Sequence, residues 1–104
     1  MTTFDDRENA FEAKFAHDAE MAFKANARRN KALGHWAAGL LGKTGDAEGA
    51  YVLEVIAADF EEDGDEDVVR KLVKDLAGKA DEATVRARMV EFLHAAQREL
   101  LKQG

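Results

Sequence analysis

Residues 4–41 read FDDRENAFEAKFAHDAEMAFKANARRNKALGHWAAGLL, and this stretch decides the fold. It contains no proline, and its two glycines, Gly34 and Gly39, lie near its end, so nothing forbids a continuous helix. Thr3 stands where a capping residue is expected, and Gly42 follows as a stop signal. The stretch therefore predicts one long helix in an α-helical protein.

Two apolar stripes lie on this predicted helix. Phe4, Phe11 and Phe15 share one face at spacings of seven and four. The second stripe has the spacing of a buried face and consists of Leu33, Trp36, Ala37, Leu40 and Leu41. We expect the second stripe to enter a core. The first is either a shared core face or a recognition helix that fills a groove on a partner.

A basic block separates the two stripes and consists of Lys24, Arg28, Arg29 and Lys31. Residues 24–45 carry five bases and no acid, although the whole chain has a net charge of −6. We interpret the block as a solvated face, with an anionic partner as the alternative. Nucleic acid is a poor overall partner, because most of the surface would repel phosphate.

Three further helices are predicted downstream. Asp46 is expected to cap a helix over residues 46–60, and Asp65 a helix that ends at Gly78. Asp81 begins the last helix. The predicted inner faces are Val52, Ile56 and Phe60, then Val68, Val69, Leu72, Val73 and Leu76, and finally Val85, Met89, Phe92, Leu93, Ala96 and Leu100.

These helices make an all-α fold, a small four-helix bundle in a chain of 104 residues. Phe15 and the earlier phenylalanines lie about 27 Å or more upstream of Leu33 on a straight helix, too far for the bundle to cover. The chain either bends near residues 18–24 or projects. We predict a projecting, partly disordered amphipathic arm over residues 1–18 and a four-helix globular domain over residues 19–104.

Composition narrows the class of protein. The chain has no cysteine, which favours an intracellular protein without disulfides or thiolate metal sites. We expect neither a signal peptide nor direct membrane insertion, because no long apolar run occurs. Serine is also missing, so the two common nucleophiles are absent and we expect no enzyme.

Residues 37–44 read AAGLLGKT, a relaxed match to a phosphate-binding loop. The preceding segment is a predicted helix rather than a strand, so we interpret the match as a helix end. Nucleotide contact through Lys43 and Thr44 is the alternative, and it would make the chain a small nucleotide-binding regulatory protein.

Residues 59–64, DFEEDG, resemble the start of a calcium loop, but Arg70 stands where the loop needs a bidentate glutamate. We interpret them as a solvated acidic turn that caps the next helix. His17, His35 and His94 are too dispersed for a zinc site, so neither a metal nor another cofactor is expected. His35 and His94 are interpreted as surface or half-buried residues.

Several segments together resemble the zeta subunit, the small bacterial inhibitor of the F-type ATP synthase. They are TTFDDRE at 2–8, AFEAKFAHD at 10–18, ARRNK at 27–31, WAA at 36–38, ADFEE at 58–62 and GDEDV at 64–68. Ala19, where the family pattern has an acid, and Asp63, where it has proline, depart from it.

The resemblance implies a cytoplasmic inhibitor, a monomer when free, that sits at the inner face of the plasma membrane when bound to the synthase. Its N-terminal helix would enter an interface between the α and β subunits beside γ and block ATP hydrolysis. By position the inhibitory residues are Phe4, Asp5, Asp6, Arg7, Glu8, Phe11, Lys14 and Phe15.

Overall fold

The computed structural model describes residues 19–59 and 65–103. These ranges hold four α-helices and no strand: α1 Ala19–Leu40, α2 Gly45–Ala58, α3 Glu66–Asp75 and α4 Glu82–Gln103. The predicted all-α four-helix fold is confirmed, and the segment over residues 46–60 is helical through Ala58. The predicted arm, residues 1–18, lies outside the described residues.

Helix α1 packs against both α2 and α4, and α3 packs against the same two helices. The main core contains Leu33, Ala37, Ala38, Tyr51, Val55, Val68, Val69, Leu72, Leu76, Val85 and Met89. The predicted inner faces of α3 and α4 are confirmed, with Val73 and Phe92 packed at the edge of this core. On α2 the buried apolar residues are Tyr51, Val52, Val55 and Ala58, whereas Ile56 is only half-buried.

Two details of the prediction were wrong. Leu40 is 39% exposed, because it is the last residue of α1 and no further turn continues the packed face. Thr44, not Asp46, occupies the N-cap position of α2. Gly45 has a φ of 58°, which lets the chain enter the helix directly after Thr44. Asp46 then lies in the first turn, where the helix dipole favours an acid.

The other predicted helix boundaries are confirmed. Gly42 and Gly78 have φ values of 74° and 82°, left-handed conformations that end α1 and follow α3. At the end of α1 the Lys43 amide donates to the Ala38 carbonyl at 2.9 Å. At the start of α4 an oxygen of Asp81 accepts a hydrogen bond from the Thr84 amide at 2.8 Å. Hydrogen bonds from Thr84 also lower the pKa of the Asp81 carboxyl.

The tightest contact between helices lies at Gly34 of α1. A Cβ atom placed there would lie 2.8 Å from the Cα of Val52 and 3.0 Å from its Cγ2. Gly34 is therefore required for close approach and not for an unusual backbone angle. Gly39, five residues on, has nothing within 4 Å of the same position.

We predict that Gly34→Ala destabilises the fold by about 1–3 kcal/mol, because the methyl group must push the α2 backbone away. Gly39→Ala is the matched control and should stabilise α1 by up to about 1 kcal/mol through helix propensity. Urea unfolding followed by circular dichroism measures both. Equal stabilities for the two variants would contradict the close contact.

Candidate partner interface

The predicted inhibitory residues, Phe4 to Phe15, lie outside the described residues. What the structure describes is the base from which they leave, the helix α1 that runs without interruption from Ala19. The geometry of this base decides how the arm is attached to the rest of the chain.

The first half of α1 is held by the last turns of α4. A second apolar cluster, separate from the main core, is built from Ala25, Ala96 and Leu100 and bordered by Met21, Leu93 and Leu101. All six residues belong to α1 or α4. The beginning of α1 is therefore tied to the end of α4, close to the point where the arm begins.

Arg29 fixes the middle of α1 and is not part of a solvated face, so the prediction for this residue was wrong. It is 2% exposed. Its Nη1 lies 2.9 Å from Asp65 Oδ1 and its Nη2 lies 3.6 Å from Asp59 Oδ1. Its Nε and Nη2 also donate to Asn30 Oδ1 at 3.1 and 2.9 Å. A buried guanidinium needs such partners, and a planar fork of donors can serve all three at once.

The rest of the basic block fits the prediction better. Lys24 is exposed and pairs with Glu20 at 3.1 Å. Arg28 is half-buried and lies 3.7 Å from Glu99 of α4. Lys31 is exposed. Sequence alone could not separate Arg29 from its neighbours, because the charges that bury it come from a distant loop.

The same contacts revise the interpretation of the acidic turn. Asp59 and Asp65, at the two ends of the 60–64 segment, both face Arg29. Asp65 does occupy the N-cap position of α3, but its side chain makes no capping hydrogen bond. The turn is thus anchored by an internal cation and is not simply solvated. Residues 60–64 themselves lie outside the described residues.

Lys43 and Thr44 lie in the loop between α1 and α2. The Nζ of Lys43 lies 5.8 Å from the centre of the Tyr51 ring, and Thr44 is exposed in an extended conformation. The loop follows a helix, whereas a phosphate-binding loop follows a strand. The Lys43 amide is already bonded to Ala38.

A polar network that the sequence did not reveal joins α2 to α3. The Tyr51 hydroxyl donates to Asp75 Oδ2 at 2.8 Å, and Lys71 Nζ lies 3.0 Å from the same oxygen. Lys71 also lies 5.0 Å from the centre of the Tyr51 ring. The i,i+4 spacing of Lys71 and Asp75 is a readable signal, but nothing local pairs Tyr51 with a carboxylate 24 residues away.

This network shifts two pKa values. Burial, with the hydrogen bond to Asp75, raises the pKa of Tyr51, so the phenol stays protonated at neutral pH. Burial acts to raise the pKa of Asp75 as well. The hydrogen bonds from Tyr51 and Lys71, with the charge of Lys71, outweigh that effect and lower it.

His35 is exposed, as predicted, and its Nδ1 lies 2.6 Å from Glu48 Oε2 on α2, while His94 is half-buried. Within residues 19–59 and 65–103, no group of three histidine or acidic side chains converges as a metal site would require. None of the helices described there combines the length and the hydropathy of a membrane span.

The comparisons with known proteins agree with one family. The family model for ATPase inhibitor subunit zeta matches residues 1–99. The chain belongs to this family. A protein known from a solution NMR structure is 51% identical and superposes with a TM-score of 0.72. The alignment covers 81% of this chain and 99% of that one. No curated protein sequence matches.

We predict that Arg29→Met costs this zeta-family chain about 2 kcal/mol of unfolding free energy, because Asp59 and Asp65 lose their shared donor. Arg29→Lys should recover little, since one ammonium cannot reach three groups. Lys24→Met removes an exposed pair and should change stability by no more than about 0.5 kcal/mol. Urea unfolding tests all three, and a harmless Arg29→Met would contradict the buried cluster.

The Tyr51–Asp75 bond predicts a particular pH dependence. A carboxyl with a lowered folded-state pKa stabilises the fold above its unfolded value of about 3.9 and loses that contribution as pH falls. Tyr51→Phe should therefore cost about 1 kcal/mol at pH 7 and less near pH 3. Tyr51 is the only tyrosine, so its absorbance titration reads one phenol, which should ionise well above pH 10 in the folded zeta-family protein. A phenol that ionises at its ordinary pKa would argue against the network.

Proposed function

We propose that the chain inhibits ATP hydrolysis by the F-type ATP synthase, and that residues 1–18 are the inhibitory arm. The observation that carries the proposal is the zeta family match over residues 1–99, which includes the arm as well as the domain. The globular domain, residues 19–104, would carry the arm and present it to the enzyme. The protein acts by binding and not by catalysis.

The chemistry of the arm suits a cleft between two subunits. Phe4, Phe11 and Phe15 supply one aromatic face, which would lie in an apolar groove. Charged residues of both signs supply the other faces, which would pair with the walls of the groove; they are Asp5, Asp6, Arg7, Glu8 and Lys14. We assign the groove to an interface of the α and β subunits beside γ, at the inner face of the plasma membrane.

Energetics favour an arm that is attached to a folded base. Burial of three phenylalanines contributes roughly 5–9 kcal/mol in transfer free energy. Ordering about fifteen residues costs about 1–2 kcal/mol each, which is more. Charge pairing and tethering must offset the difference, and a tether raises the effective concentration of the arm at its groove.

Helix α1 supplies such a tether. Its first half packs on α4 through Ala25, Ala96 and Leu100, and its middle is held by the buried Arg29. A force on the arm is therefore passed into two helices and a loop instead of one exposed helix end. This arrangement supports an arm that resists the rotation of γ during hydrolysis, whereas rotation in the direction of synthesis would expel it.

We predict that deletion of residues 2–18 abolishes inhibition of ATP hydrolysis by the purified cognate enzyme. Phe11→Ala should raise the half-inhibitory concentration at least about tenfold, as for a buried aromatic contact. Lys43→Ala is the control and should leave inhibition unchanged. Retained inhibition after the deletion, or its loss in Lys43→Ala, would instead favour nucleotide-binding regulation.

A further inference from the structure

Large apolar side chains are exposed at four described positions: Phe23, Leu40, Leu53 and Val90. Phe23 is 59% exposed and lies in the second turn of α1, five residues beyond the arm. A rise of about 1.5 Å per residue places it about 8 Å from residue 18, whereas Leu40 lies about 25 Å further along the same helix. Only Phe23 of the four adjoins the proposed inhibitory segment.

The side chains next to Phe23 give this surface a sign. Phe23, Ala27 and Lys31 follow one another at spacings of four and thus form one row on α1, about 12 Å long. Phe23 and Lys31 are exposed and Ala27 is half-buried. Among the described residues Lys31 has no ion-pair partner, and exposed Lys24 lies beside the row. An apolar ring next to cations on a chain of charge −6 marks a surface that differs from the rest.

We infer that this row, which we call the α1 outer row, is a second contact with the same ATPase head. The inference rests on the proposed function, because it places the row next to the arm in one continuous interface. The matching surface on the head is an apolar recess for the benzyl ring with carboxylates beside it. The arm and the row then bind as two linked elements, and each raises the effective concentration of the other.

The linkage explains why Phe23 is exposed in a domain whose other large side chains on α1 are covered. Leu33 is fully buried, and Met21 and Trp36 are partly buried against the two apolar clusters. A ring that the domain leaves more than half exposed contributes little to its folding. The same ring becomes a strong anchor once a partner removes it from water.

Inhibition of ATP hydrolysis by variants of the full chain tests this inference. Phe23→Ala should raise the half-inhibitory concentration at least about tenfold. Leu53→Ala and Val90→Ala remove similarly exposed side chains from α2 and α4 and should change it less than about twofold. Thermal unfolding of each variant checks that the domain is intact.

A charge reversal gives a second, independent test. Lys31→Glu should weaken inhibition, and the loss should shrink as ionic strength rises. Lys79→Glu, an exposed lysine in the loop before α4, makes the same charge change elsewhere and should have little effect.

Equal effects of Phe23→Ala and Leu53→Ala, or of Lys31→Glu and Lys79→Glu, would overturn the inference while leaving the arm in place. Loss of the proposed function itself has a different signature, since inhibition would then survive deletion of residues 2–18.

Discussion

The close contact between α1 and α2 at Gly34 is the constraint on which the rest of the arrangement depends. Three contacts show that α2 runs antiparallel to α1: Glu48 meets His35, Val52 meets Gly34, and Asp59 meets Arg29. Because the two backbones touch at Gly34, the end of α2 arrives beside the buried guanidinium. The loop to α3 is then fixed at both ends, and α3 can close the core.

Polar contacts join the helices in a ring around that core. Arg29 holds the two ends of the α2–α3 loop, Tyr51 bonds to Asp75 between α2 and α3, and Arg86 lies 2.9 Å from Glu66 between α4 and α3. The Glu66–Arg86 pair is exposed and contributes little, although its hydrogen bond lowers the pKa of Glu66. The pair formed by Arg29 differs because its guanidinium is shielded from water, so its loss leaves acids without their donor.

The sequence predicted most of the fold because its signals are local. Apolar spacing defines the inner faces of α3 and α4, and Gly42 and Gly78 end helices through their own backbone angles. Contacts that depend on distant residues were beyond it. Arg29 looked like Lys24 and Lys31 until Asp59 and Asp65 were brought beside it, and Gly34 looked like an ordinary helix glycine. The arm was assigned from its pattern and from resemblance, and that assignment remains a prediction.

The account separates a domain held by its own contacts from an arm whose groove belongs to another protein. Amide hydrogen exchange of the full chain, alone and bound to the ATPase head, tests this separation most directly. The account predicts that amides of residues 4–15 gain strong protection on binding while those of residues 85–93 in α4 hardly change. Equal protection of residues 4–15 with and without the enzyme would contradict it.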